Sequence, residues 1–250
     1  MRFAVLADIH GNALALEAVL ADMDRLGIDE AVNLGDHFSG PLDAGATASL
    51  LMARDFPSIR GNHDRYLVTQ EPSDMGPSDK VAYDQLASAH LDWLAQLPQT
   101  RMIGPDILLC HGTPLRDDLY WLDTVDPDGT VRAATRAEVE ERAQGSTARL
   151  ILCAHTHLSR SVRLPDGRVI VNPGSVGCPG YDDDRPVYHY VQTGTPNASY
   201  AVIEGDPDAW RVSFRSVPYR SDLASALAAQ NGRADWARSL ATGWFEGAAD

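Results

Sequence analysis

Five short stretches combine residue types able to hold a metal ion: Asp8-Ile9-His10, Gly35-Asp36-His37, Gly61-Asn62-His63-Asp64, His111-Gly112 and His155-Thr156-His157. Carboxylates, imidazoles and an amide oxygen are donors that divalent transition metals accept. One Asp-x-His taken alone reads as a turn acid beside a packed histidine. The chain has eight histidines, however, and His10, His63, His111, His155 and His157 all fall at candidate strand ends, as do Asp8, Asp36 and Asn62. Asp8, His10, Asp36, Asn62, His111, His155 and His157 are too many ligands for one zinc and too few for two separate closed sites. They suit two metals sharing a bridging carboxylate, an arrangement that clamps the attacking and leaving oxygens of a phosphoryl displacement. Two divalent ions bring about +4 against about −2 from the two aspartates, which leaves a centre able to hold a hydroxide and a phosphate. No cysteine spacing points to a structural zinc, so Mn²⁺, taken first, and Fe, Zn²⁺, Co²⁺ or Ni²⁺ are the candidate ions, divalent or trivalent.

These clusters need strands to carry them. The run Phe3 to Ala7 ends at Asp8, Ala31 to Leu34 at Gly35, Ile107 to Cys110 at His111, and Leu150 to Cys153 at Ala154-His155. Continued strand geometry would point Asp8 and His10 to the same side. Helix-like segments alternate with the strands. Asn12 is an N-cap for a helix with Leu16, Val19, Leu20 and Met23 on its apolar face and Gly27 as its stop. A second helix runs to about Arg54, a third over Val81 to Leu97, and a fourth from the capping box Thr135-x-x-Glu138 to Gln144. Pro57 to Arg60 leads as a strand into Gly61, and Glu71 to Lys80 reads as an exposed loop. Asp117 to Arg132 is a polar loop of the length often used as a lid. A hairpin turns at Pro165-Asp166-Gly167, Cys178 to Arg185 is loop, and Val187 to Val191, Ala198 to Glu204 and Trp210 to Val217 are further antiparallel strands. A helical tail, about 220–246, is broken near Asn231-Gly232, and nothing divides the 250 residues into separate domains. Such alternation predicts an α/β fold with a mixed sheet buried on both faces and a ligand crevice at the carboxyl ends of its strands.

Composition narrows the class. An apolar fraction of 44% fits a globular chain, and a net charge of −14 argues against a face for a nucleic-acid duplex. Asp8 interrupts the first apolar run, and no later run is long enough for a membrane span, so the expected location is the cytoplasm. Three cysteines without C-x-x-C spacing suit its reducing conditions. Leu227, Trp236, Leu240, Trp244 and Phe245 in the tail serve either a core-packed helix or the interface of a homo-oligomer.

In their order along the chain, Asp8-x-His10, Gly35-Asp36, Gly61-Asn62-His63-Asp64, His111-Gly112 and His155-x-His157 resemble the motif set of the calcineurin-like metallophosphoesterases. The Asp8-Ile9-His10-Gly11-Asn12 opening and Asn172-Pro173-Gly174-Ser175-Val176-Gly177 resemble their small bacterial and archaeal branch. The resemblance covers residues 8 to 177 and implies a four-layer αββα sandwich, two mixed sheets flanked by helices, around a dinuclear site. It implies that Asp8, His10, Asp36 and His157 hold one metal, and that a bridging Asp36 with Asn62, His111 and His155 holds the other. His63 is left unligated, to contact phosphate and protonate the leaving oxygen. Asp64 either orients His63 or caps the following helix.

The implied activity is hydrolysis of a small phosphodiester or nucleotide by metal-activated water. A dinucleoside polyphosphate hydrolase, a phosphomonoesterase and a non-catalytic protein-binding scaffold of the same fold, like the retromer subunit, are the alternatives. The complete ligand set disfavours the scaffold. Ser39 stands where Ser/Thr protein phosphatases of the superfamily carry the acid that partners their histidine, which argues against protein phosphatase activity. His37 and Arg185 are candidate substrate contacts.

Overall fold

The computed structural model describes residues 1–143, 145–207 and 209–245; the expected helix end Gln144 and the expected tail end at 246 lie outside the described residues. In chain order the first half contains β1 (Arg2–Leu6), α1 (Ala13–Leu26), β2 (Ala31–Asn33), α2 (Ala44–Met52), α3 (Asn62–Thr69), α4 (Pro77–Gln85), α5 (Ser88–Gln96), β3 (Thr100–Ile103) and β4 (Ile107–Cys110). There follow β5 (Asp123–Val125), β6 (Val131–Ala133), α6 (Arg136–Arg142), β7 (Leu150–Leu152), β8 (Arg160–Arg163) and β9 (Val169–Asn172). The last part contains β10 (Gly180–Asp183), β11 (His189–Gln192), β12 (Ala198–Glu204), β13 (Arg211–Val217), α7 (Ser221–Gln230) and α8 (Ala234–Thr242).

Two mixed sheets form the centre, in the orders β13-β12-β1-β2 and β3-β4-β7-β9-β8. β1 pairs in parallel with β2, and β7 in parallel with β4 and β9. Alternation along β1 decides the layering. Phe3 and Val5 join Ile107, Leu109, Leu150, Leu152, Val169 and Val171 between the sheets, whereas Ala4 and Leu6 pack on Leu16, Val19 and Met23 of α1. The outer face of the second sheet presents Leu108, Cys110, Ile151 and Ile170 to Trp121, Leu122 and Val139. Helix, sheet, sheet and helix are thus four layers, the last thin because α6 and the β5–β6 hairpin alone supply it. The parallel strands β1, β2, β4 and β7 bring their carboxyl ends to one edge, where ligands bind in open α/β sheets.

Local signals act as the sequence implies at several points. Asn12 Oδ1 accepts from Ala15 N, Gly27 ends α1 in the left-handed region, and Thr135 and Glu138 form their capping box. Elsewhere long-range pairing overrides local reading. The helix expected over Val81 to Leu97 is two helices, because Leu86 and Ala87 are extended, and Pro77, read as loop, is the first residue of α4. The expected 117–132 loop contains the β5–β6 hairpin, and the expected 178–185 loop contains β10, paired with β11. Pro57 to Arg60 forms one isolated bridge, Asn33 to Ser58, instead of a strand. The tail breaks where expected, and Ala224, Ala228, Trp236 and Leu240 pack against Leu42 and Cys178. Among the described residues no helix is long and apolar enough to cross a membrane.

Candidate metal centre

Strand geometry does not carry Asp8 and His10 to the site. β1 ends at Leu6, and Asp8 (φ 53°) and His10 (φ 51°) are in the left-handed region, as are Asp36 (φ 55°), His155 (φ 73°) and His157 (φ 58°). Asp and His tolerate this conformation better than most side chains, yet each instance costs about 1–3 kcal/mol and persists only where neighbours over-determine it. The neighbours are backbone bonds between the ligand loops: Asp8 N donates to Gly35 O, His10 N to Asp36 O, and Gly177 N to Asp8 O, each at 3.0 Å. Gly61 lets two of the loops touch. A Cβ there would lie 2.2 Å from Asp36 Oδ1.

The turns gather the side chains into two buried trios, Asp8 with His10 and His157, and Asp36 with His111 and His155; within each trio the ligand atoms lie within 4.8 Å of one another. Asp36 lies toward both. Its Oδ2 is 3.2 Å from His111 Nε2 and 3.8 Å from His10 Nε2, while Asp8 Oδ1 is 3.4 Å from His157 Nε2 and 3.7 Å from His111 Nε2. Three imidazoles are oriented from behind. His10, His111 and His157 donate Nδ1–H to the carbonyls of Ser39 (2.8 Å), Leu34 (2.7 Å) and Cys178 (2.8 Å), which turns Nε2 inward as a ligand. Asn62, expected as the amide ligand, is buried at the head of α3.

A direct test of fit comes from unsatisfied atoms. Asp8 Oδ1, Asn62 Oδ1 and His111 Nε2 are sealed from solvent without a hydrogen-bond partner. Each such atom costs about 1–3 kcal/mol unless something binds it; Asp8 Oδ1 and Asn62 Oδ1 offer lone pairs to a cation directly, and His111 Nε2, whose protonated form Asp36 and Asp8 favour, offers one once the cation displaces its proton. Burial alone would push the Asp8 and Asp36 carboxyls up, but His157 and His111 respectively outweigh it and hold both down, ionised at neutral pH. Burial and the neighbouring imidazoles pull His10 to about 4 and His155 to about 3, keeping them neutral and able to coordinate. The residues present therefore fit a pair of divalent ions.

Behind this floor opens a cleft of about 960 Å³, and His63 stands in its wall. His63 Nδ1 meets Asp79 Oδ1 at 2.9 Å, and Ser39 Oγ donates to the same oxygen at 2.6 Å. Burial lowers the His63 imidazole, but Asp79 and then Asp36 raise it to about 9. Asp79 was not legible as a site residue because it falls in the 71–80 stretch read as exposed loop. Ser39, standing where an acid is usual, is the signal that a carboxylate must come from elsewhere.

Asp64 does not orient His63. It accepts from Gly61 N at 2.9 Å, Asp36 N at 2.8 Å, His37 N at 2.9 Å and His37 Nδ1 at 2.7 Å, so it caps α3 and ties two ligand loops together. His37 is not a substrate contact either. It is fully buried, with its ring 5.1 Å from that of Trp93, because the turn after Asp36 sends it into the interior. Arg185 is an exposed residue at the cleft mouth, 3.8 Å from Asp184. Tyr120 and Tyr181 have no counterpart in the expected site: Tyr181 Oη donates to His155 O at 3.1 Å, and the two rings pack on His155 and His157 at 4.9 and 4.6 Å. Nothing in their local sequence separates them from ordinary packing tyrosines.

Comparison with known proteins agrees with this geometry. Residues 1–195 match the family model described as the calcineurin-like phosphoesterase superfamily domain. A metallophosphoesterase of Sphaerobacter thermophilus is 25% identical, superposes with a TM-score of 0.75, and the match covers 98% of this chain and 100% of that one. A hypothetical protein of Pyrococcus horikoshii OT3, 18% identical, has the same fold with a TM-score of 0.74 over 98% of this chain and 99% of its own. An uncharacterized protein of Methanocaldococcus jannaschii is 23% identical over 255 residues, 93% of this chain and 94% of its own length.

Proposed function

Since the chain belongs to the calcineurin-like phosphoesterase superfamily, we propose that it hydrolyses a small phosphodiester or nucleotide at a dinuclear centre, with water as the nucleophile. The observation that carries this reading is the pair of buried trios, Asp8/His10/His157 and Asp36/His111/His155, with Asp36 toward both and Asn62 adding an amide oxygen. Divalent ions held there, Mn²⁺ first among them, would activate water and neutralise the phosphoryl oxygens. The chain's own residues do the rest. His63, bonded through Nδ1 to Asp79, presents its other nitrogen to the cleft and donates that proton to the departing oxygen. Asp79 stabilises the imidazolium, Ser39 fixes Asp79, and Asp64 keeps the Asp36 and Asn62 loops in register. The whole chain acts as one unit in this reading, because the C-terminal helix α8 supplies part of the cleft wall. Three buried free cysteines suit a reducing cytoplasm.

The test is a panel of phosphodiesters, phosphomonoesters and nucleotides, with and without Mn²⁺. Metal-dependent hydrolysis that EDTA abolishes and His63→Ala suppresses is expected. A metal-loaded wild type inert on the whole panel would refute the reading.

A further inference from the structure

The family match ends at residue 195, but the wall of the cleft continues beyond it. Arg233, the N-cap of α8, and Trp236 within it both line that wall. Trp236 is 7% exposed, its apolar body held among Leu42, Cys178, Ala224 and Leu240. Its ring stands edge-on to His10, with centroids 5.8 Å apart and planes at 73°. The aromatic row runs on from there: His10 to His63 at 5.5 Å, and His63 to Tyr66 at 5.4 Å, both edge-on. The proton donor of the reaction therefore lies between an indole on one side, with His10 intervening, and a phenol on the other.

Arg233 holds the indole end in place. Its guanidinium carbon is 5.9 Å from the Trp236 ring centroid, and it bonds to both Asp235 oxygens and to Ser78 Oγ. Ser78 adjoins Asp79, the partner of His63, so α3, α4 and α8 bound the same side of the cleft. Arg233 lies over the Trp236 indole and Arg65 over the Tyr66 ring, so an aromatic ligand group in the cleft would meet these rings edge-to-face, an arrangement that aromatic pairs favour. At about 960 Å³ the cleft also exceeds what a phosphate alone would fill.

We propose that Trp236 is a specificity-determining residue: with Tyr66 it bounds the space for the organic group that His63 releases, and it selects aromatic or nucleoside leaving groups over small alkyl ones. This rests on the hydrolytic reading above. A small polyol would leave the indole edge wet and gain nothing from it, whereas a base would cover it.

Two measurements test the assignment. Trp236→Leu should lose about tenfold more kcat/KM on a nucleoside phosphodiester than on a glycerol phosphodiester, through KM, and Trp236→Phe should recover most of the difference. Metal content and melting temperature of the variants serve as folding controls. Equal losses on the two substrates, or none, would overturn the proposal. Independently of turnover, the Trp236 indole N–H resonance of Zn²⁺-loaded wild type should shift with thymidine 5′-monophosphate and stay in place with glycerol phosphate. A resonance that ignores the nucleotide, or answers both ligands alike, refutes the role. If no phosphoester is hydrolysed but the nucleotide shift is present, the hydrolytic reading fails and the aromatic-binding site stands.

Discussion

Asp79→Asn isolates the charge behind His63 while keeping the side-chain shape. The wild-type contact is 2.9 Å between His63 Nδ1 and Asp79 Oδ1, reinforced by Ser39 Oγ at 2.6 Å from the same oxygen. A hydrogen bond to a charged group contributes about 1.5–3 kcal/mol. Loss of that amount brings the imidazolium's pKa down from about 9 by roughly 1–2, so the protonated donor is depleted roughly 10- to 100-fold relative to wild type near pH 9 and above, where the alkyl-ester rate should fall, and hardly at all near pH 6. The loss should depend on the leaving group. An alkoxide needs the proton and should show the full effect, whereas 4-nitrophenolate carries its own charge and should lose no more than a few-fold. His63→Ala sets the ceiling, about 10²- to 10⁴-fold on the alkyl ester. Because Asp79 acts through His63, adding Asp79→Asn to His63→Ala should change little. Steady-state kinetics on paired alkyl and 4-nitrophenyl esters, with bound metal quantified for each variant, decide the matter. Equal losses on both esters, or a large further loss in the His63→Ala background, would show that Asp79 shapes the site in some other way.

With Asp36 as the proposed bridge, Asp36→Asn should release about two ions per chain and Asp8→Asn about one; elemental analysis after dialysis measures this, and full retention by Asp36→Asn, or equal loss from the two variants, removes Asp36 from the sole bridging position, since Asp8 Oδ1 also lies 3.7 Å from His111 Nε2 of the other trio. Gly61→Ala places a methyl 2.2 Å from Asp36 Oδ1 and should lower stability by about 1–3 kcal/mol and weaken metal uptake, whereas Gly45→Ala, with its nearest neighbour at 3.5 Å, should do neither by thermal melting. Burial would raise Asp22, but bonds from Tyr200, Arg25 and Arg215 lower it, so its contribution is complete above the carboxyl's unfolded value of about 3.9 and is lost as pH falls through the lower native value. Asp22→Asn should therefore flatten the fall of stability below about pH 4 in urea titrations, and an unchanged slope would exclude this contribution.

How much of the site is legible in sequence follows from the range of the forces that build it. Apolar runs such as Ile107 to Cys110 and Leu150 to Leu152 announce buried strands, and a polar residue at the end of each marks the crevice edge, so the pooled set of candidate ligands can be named without coordinates, whereas their division between two metals comes only from the family resemblance. Why they converge is a different matter. The expected alternation along β1 would have needed the strand to continue from Leu6 through His10, and the chain instead turns at Asp8 and His10 through positive φ, a choice dictated by bonds to Gly35 O and Asp36 O nearly thirty residues away. The same distance hides the acids. Asp64 is adjacent to His63 in sequence but faces His37, and Asp79, in a segment rich in Pro and Ser, faces His63, because the first turns of α3 and α4 point their acids in directions that only packing fixes. Adjacency was the misleading signal in both cases. Five left-handed residues at about 1–3 kcal/mol each form a strain reservoir that the interlaced loops must offset before any ion binds. The loops' own hydrogen bonds, from Asp8 N to Gly35 O and from His10 N to Asp36 O, hold the ligand directions, and they leave Asp8 Oδ1, Asn62 Oδ1 and His111 Nε2 sealed from solvent on one surface.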